Sequence, residues 1–335
     1  MVRLSTVFLI TLLGGSLAAQ QRPLPIIDVH LHAEAADAQG PPPLGMCTPI
    51  PDMIGDSARP WPVVFLEAFK KPSCKDPVWS PMSDAALLNE TLDVMRRRNI
   101  YGIVNGSMEF VRRWRQADPE RVIPAIQFEL GPTRPSVDEI ARLHQSKDIA
   151  LFGEIANQYL GVVPNDPAFE PYLAMAEQRG LPIGIHLGTG PPGAPYLAFP
   201  KYRASLHSPL LLEDVLVRHP KLRIYVMHAG WPMLDDMLAV MWTHPQVYVD
   251  TGAIDYALPR AEFHRYLQRL VESGFGKRVM FGSDQMVWPG VIERAIASIE
   301  SAAFLTDGQK RDILYNNAAR FLQLSEPDIA RHHGR

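Results

Sequence analysis

The stretch PIIDVHLHAEA, Pro25 to Ala35, sets two histidines one residue apart at the end of an apolar, β-branched run. Such a run reads as a strand. Alternate residues of a strand share a face, so His30 and His32 project together, with Asp28 one step deeper. The pair alone does not separate packing from ligation; what ends the other strands does.

Working outward, further short apolar runs occupy Tyr101 to Asn105, Val122 to Phe128, Ala150 to Glu154, Pro182 to His186, Arg223 to His228, Val247 to Asp250 and Val279 to Gly282. Helix-period segments separate them, among them Ser83 to Arg98, Asp166 to Arg179 and Leu210 to His219. Strands and helices alternating from end to end predict a (β/α)8 TIM-type barrel. An open doubly wound sheet has the same periodicity and is the alternative. Four more strands end on ligand-type residues: LFGEI on Glu154, IGIHLG on His186, IYVMHAG on His228 and VMFGSD on Asp284. In a barrel these ends form the floor of the active site. Imidazole and carboxylate suit zinc and related divalent metals, and buried groups of this kind facing one axis need a shared partner. His144, His219, His244 and His264 fall in or at the ends of helices and read as surface or capping residues. His207 reads as a loop residue, and His332 and His333 as part of a polar tail.

Two features exceed the minimal pattern. Residues 33–82 form a long proline-rich loop after the first strand, placed to cover the barrel mouth. Thr306 to Phe321 reads as an extra C-terminal helix. No linker divides the chain, so residues 20–335 are expected to be one domain.

The first residues have the parts of a secretory signal: Arg3, an apolar run from Leu4 to Leu13, and a small-residue end from Gly14 to Ala19. A membrane span needs about twenty apolar residues, so residues 1–19 are set apart as a signal peptide, and a secreted or periplasmic location is expected. An oxidising compartment favours a disulfide between Cys47 and Cys74, which share one irregular segment. With 33 basic against 36 acidic residues, there is no electrostatic footprint for nucleic acid or an anionic membrane. A small-molecule partner is expected, and association of identical chains is left open.

The motifs DVHLH, GEI, IHLG, VMHAG and FGSD, in that order and spacing and closed by YNNAARFL, resemble the metal-dependent amidohydrolase superfamily. The likeness is to the amidohydrolase-related branch that also contains decarboxylases, and it covers nearly all of the chain after the leader. It implies a barrel with a one- or two-metal site. His30, His32, His186 and Asp284 would hold the catalytic ion, and His228 would bind a second ion or the reacting water or substrate. Zinc is the expected metal, with manganese as the alternative. Many two-metal members carry a carboxylated lysine where this chain has Glu154. A glutamate there resembles the deoxyribonuclease-like relatives, which hold two ions; its other reading is a carboxylate that orients His186.

The resemblance implies a hydrolase of a small amide, lactone or ester, in which metal-activated water attacks and Asp284 takes and returns the proton. Non-oxidative decarboxylation of an aromatic or unsaturated acid is the competing reading. Specificity is expected in loops such as LGTGPPGAPY, Leu187 to Tyr196, whose glycines allow close approach to a ligand. No G-x-G-x-x-G opens a helix, which argues against a nucleotide. Tyr202, Arg203 and Trp231 are candidate substrate contacts, Arg203 as a clamp for a carboxylate or phosphate. A catalytically idle barrel is disfavoured by the complete ligand set, and phosphoester hydrolysis by the lack of a basic groove.

Overall fold

The computed structural model describes residues 22–335. The expected signal peptide, residues 1–19, lies outside the described residues. The apolar runs form eight parallel strands: β1 (Ile26–Ala33), β2 (Ile100–Gly106), β3 (Val122–Ile126), β4 (Leu151–Ile155), β5 (Ile183–His186), β6 (Ile224–Met227), β7 (Val247–Asp250) and β8 (Val279–Met280). Each pairs with the next in chain order. Two backbone bonds bring the ends together: Val29 N donates to Phe281 O at 3.0 Å and Asp284 N to His30 O at 2.7 Å. The result is a nearly closed (β/α)8 TIM barrel with helices outside.

Local signals account for the connecting elements. Ser83 caps the helix Asp84–Arg97 by accepting from Ala86 N, and Leu87, Leu88, Leu92 and Met95 form its buried stripe. The helix Glu170–Arg179 ends at Gly180, whose φ of 65° is a left-handed turn that glycine takes at no steric cost. It starts later than Asp166 because Pro167 to Phe169 form turns first. The segment from Pro209 opens as a 3-10 turn and becomes α-helical at Glu213–Arg218. Inside the ring, Tyr225 Oη donates to Val29 O at 3.1 Å. Strands β6 and β1 are not neighbours, so this bond crosses the lumen, which Ile27, Tyr101, Leu151 and Tyr225 help to fill.

The covering segment has structure of its own. Gly45–Met46 pairs antiparallel with Val78–Trp79, a helix spans Trp61–Lys70, and Cys47 and Cys74 are joined with Cα atoms 5.8 Å apart. Trp61 Nε1 donates to Pro192 O at 3.0 Å, tying the helix to the loop after β5.

The C-terminal region departs from expectation. Thr306 caps a helical run over Asp307–Arg311, Asp312–Asn316 and Asn317–Phe321, whose middle part is π-helical. A further helix, Glu326–His332, follows, set by a capping box of Ser325 and Asp328. The tail therefore folds back: His332 is buried, stacks on Tyr101 at 3.5 Å and pairs with the Tyr315 hydroxyl. His219 and His244 cap the C-terminal ends of their helices, as expected, but are buried rather than at the surface. His219 is held between Glu170 and Glu177 at 2.8 and 3.1 Å.

Candidate metal centre and cavity

Register shifts fall between Asp28 and Leu31 in β1 and between Phe152 and Glu154 in β4. Both strands carry ligand-type residues, and an extra residue in a ladder re-aims the side chains near it. Asp28 fixes the first of them, its Oδ1 accepting from His30 N and Ser283 N, each at 3.0 Å. Gly282 is required beside them, because a Cβ there would lie 2.8 Å from that of His30. His228 and Asp284 both adopt left-handed backbone, with φ of 57° and 50°. For non-glycine residues this costs roughly 1–3 kcal/mol each, and such strain clusters at functional sites.

The six residues expected to converge do so. Their donor atoms form overlapping groups, each within 4.8 Å: His30, His32 and Glu154; His30, His228 and Asp284; and Glu154, His186 and His228. All six are buried. His32 Nε2 lies 3.0 Å from Asp284 Oδ1 and 3.5 Å from Glu154 Oε2. The other oxygen of Glu154 contacts His186 Nδ1, which is 3.1 Å from His228 Nε2.

Sequence reading passed over Asp250, although it ends β7 in the position that ligand-type residues occupy on other strands. The carboxylate is fully buried. Its Oδ2 accepts from His30 Nδ1 at 3.1 Å, and its Oδ1 accepts from His228 N and Gly252 N, both at 2.9 Å. His228 Nδ1 in turn donates to Gly252 O at 2.8 Å. These bonds leave His30 Nε2 and His228 Nε2 as the lone-pair nitrogens facing the cluster.

The donor set fits a divalent cation. His30 Nε2 is buried without a hydrogen-bond partner, 3.7 Å from Asp284, and buried polar atoms are rarely left so. The cluster is also short of positive charge. Burial pushes the His30 imidazolium down, but Asp284 and Asp250 outweigh it and lift its pKa to about 10. Burial likewise opposes protonation of His32, yet Asp284 and Glu154 raise it to about 9. Burial raises Asp284, but His30 and His32 hold it at about 2. Carboxylates this strongly attractive to protons attract a metal in their place. His228 differs, since burial and His186 push it down to about 4.

A cavity of about 770 Å³ opens above the cluster. Its walls come from the covering segment, including Met46, Phe65 and Phe69, from the loop after β5, and from Trp231 and Trp288. Tyr202 lines it, its hydroxyl accepting from Gly190 N at 2.6 Å. Trp231 does too, its indole donating to Glu262 at 3.3 Å. Arg203 is not among the lining residues; its guanidinium donates to Pro200 O and Tyr202 O at 3.0 and 2.6 Å. Tyr159, which the sequence did not single out, lines the cavity beside the His186 ring at 5.2 Å. His207 lies behind the wall, buried and 5.5 Å from His186.

The chain is similar to known proteins over most of its length. A family model described as Amidohydrolase matches residues 27–324. No match is found among curated proteins. An uncharacterised TIM-barrel protein from Bordetella bronchiseptica superposes with a TM-score of 0.59 at 18% identity, covering 93% of this chain and 100% of that one. A probable 2-pyrone-4,6-dicarboxylic acid hydrolase from Acinetobacter baumannii gives 0.58 at 15%, covering 90% and 100%. A 5-carboxyvanillate decarboxylase from Sphingomonas paucimobilis gives 0.55 at 14%, again covering 90% and 100%.

Proposed function

The chain belongs to the amidohydrolase family and is a metal-dependent enzyme of that superfamily; from this premise we propose that it hydrolyses a small amide, lactone or ester. His30, His32 and Glu154 would hold one divalent cation, with Asp284 Oδ1 3.0 Å from His32 Nε2, and Glu154, His186 and His228 a second; His186, expected with the first ion, groups with the second. Zinc is the metal of this reading and manganese the alternative. The observation that carries it is Glu154, whose Oε2 faces His32 while Oε1 faces His186. A carboxylate serving both donor groups suits a pair of ions, an arrangement used to clamp attacking and leaving oxygens.

A bound divalent cation supplies Lewis acidity, which makes water more acidic and polarises an acyl oxygen. The chain's own residues do the rest. Asp284, held as a carboxylate by His30 and His32, takes a proton from the attacking water and returns it to the leaving atom. His228, kept neutral by burial, has one nitrogen left free by its bond to Gly252 O, and that nitrogen would serve the second cation. Asp250 fixes the tautomer of His30, and the Gly252 carbonyl that of His228. The apolar walls exclude bulk water, so charge developing in the reaction meets fixed dipoles in its place. This reading makes residues 20–335 a single-domain, exported enzyme with a small-molecule substrate; the Cys47–Cys74 bridge supports export, since such bonds persist in oxidising compartments.

Non-oxidative decarboxylation is the second reading. It needs only one ion, which His30, His32 and Glu154 are close enough to hold, and a 5-carboxyvanillate decarboxylase shares the fold. Zinc-loaded protein should be tested on a panel of amides, lactones, esters and aromatic acids in water labelled with heavy oxygen. Label in the product without carbon dioxide release is expected; carbon dioxide release without label would establish the second reading instead.

A further inference from the structure

The cavity above the cluster has an uneven chemistry. Five carboxylates line it, Glu34, Asp52, Glu129, Glu154 and Asp284, whereas among the described residues no lysine or arginine does. Of the cations of the covering loops, Lys70 Nζ donates to Pro43 O at 3.4 Å, Arg59 pairs with Glu67 and Arg203 bonds backbone carbonyls, while Lys71, Lys75 and Lys201 are not among the lining residues. Glu154 and Asp284 are committed to the metal centre. Glu34 has only His32 within ion-pair range, at 3.7 Å, and Glu129 has no ion-pair partner among the described residues. Between these groups the wall is hydrocarbon and aromatic ring, chiefly Met46, Phe65, Phe69, Phe199, Trp231 and Trp288.

We infer that the substrate beyond its reacting group is uncharged and apolar, an aromatic or alkyl body rather than a second carboxylate or phosphate. The inference rests on the hydrolytic reading for the identity of the reacting group, but the shape of the discrimination comes from the wall. An anionic end placed here would exchange water for hydrocarbon and for like charges. No guanidinium or ammonium offsets that loss, and a buried charge is tolerated only when paired. An alkyl or aryl group gains from the same transfer, because each buried methylene favours binding. The positive charge of the metal centre can satisfy the reacting group, but it lies at the floor and not along the wall.

Two matched δ-lactones test this, one bearing a hexyl chain on the ring carbon next to the ring oxygen, the other a chain of equal length ending in carboxylate. Their non-hydrolysable cyclic ethers provide a binding readout by thermal shift on the metal-loaded protein. The hexyl lactone should exceed the acid in kcat/KM by about 30-fold or more, as expected for burial of one unpaired charge, and the hexyl ether alone should raise the melting temperature. Equal or better turnover of the acid overturns the inference and leaves hydrolysis standing. If neither lactone is cleaved but the hexyl ether still binds selectively, the lactone form of the hydrolytic reading fails and the inference holds. If neither is cleaved and the ethers bind alike or not at all, the inference is overturned.

Discussion

At the scale of single residues, the site separates groups that hold from groups that act. Asp284→Asn preserves a residue type that tolerates the left-handed backbone at this position, and it keeps one oxygen toward His32. It removes the base. Turnover should fall by roughly 10²–10⁴-fold, with a much smaller loss of bound metal measured by elemental analysis; equal losses of both would make Asp284 a ligand only. Asp250→Asn can still accept from His228 N and Gly252 N, but it no longer draws the His30 proton with a charge. Metal affinity should drop by roughly 10–100-fold while the circular dichroism spectrum stays unchanged, and unaltered affinity in a competition titration would dismiss its positioning role. The six donors were legible in the sequence because each ends a strand, where geometry alone brings it to the rim. Asp250 ends a strand as well, but it makes no motif with its neighbours and was read only as the last residue of VYVD. Tyr159 and His207 were illegible for another reason: they sit on loops, whose paths no periodicity encodes. Arg203 was expected at the substrate and is instead spent on carbonyls of its own loop, which a sequence cannot foresee.

At the scale of elements, the covering segment and the C-terminal helix carry the tests. The bridge between Cys47 and Cys74 closes a loop with a sequence separation of 27, and opening it should cost about 3 kcal/mol. Urea unfolding of the Cys47→Ser/Cys74→Ser variant measures this, and an unchanged midpoint would show the segment to be ordered without it. The contact between Trp61 and Pro192 sets how that segment meets the loop after β5. A Cβ at Gly193, where φ is 71°, would lie 2.0 Å from Trp61 Nε1, so Gly193→Ala should displace the indole and raise KM several-fold more than it lowers kcat. His332 supplies a pH signature. Burial and then Arg331 push its pKa down to about 4, against about 6.5 in an unfolded chain. Between these values the unfolded state binds more protons, so stability rises with pH across the window and levels off above it. His332→Phe, which can still stack on Tyr101, should flatten the dependence of the urea midpoint between about pH 4.5 and 6.5. Proline content announced a long connection after the first strand, but not the helix within it. The final helix escaped notice because Ser325 and Asp328 form a capping box with aspartate where the sequence signature carries glutamate or glutamine.

At the scale of the whole molecule, the alternation of strands and helices was legible and ring closure was not, because periodicity is local and closure depends on where the last strand meets the first. Donors from β1, β4 and β5, together with those just beyond β6 and β8, surround one cluster, so a cation held there should brace the barrel across its diameter. Removing metal with a chelator should lower the melting temperature by on the order of 10 °C, the amount expected of a ligand present about a thousandfold above its dissociation constant, and zinc should restore it. A melting temperature indifferent to chelation would mean that the ring stands without the ion. The closing bond runs from Asp284 N to His30 O, joining the proposed general base to a proposed metal ligand of the opening strand. Closing the ring and bringing Asp284 to the cluster are thereby one event. A nascent chain halted before its eighth strand would already own four of the imidazoles, yet would have neither the hoop that gathers them nor the group that moves the proton, and so it would remain inert until whole.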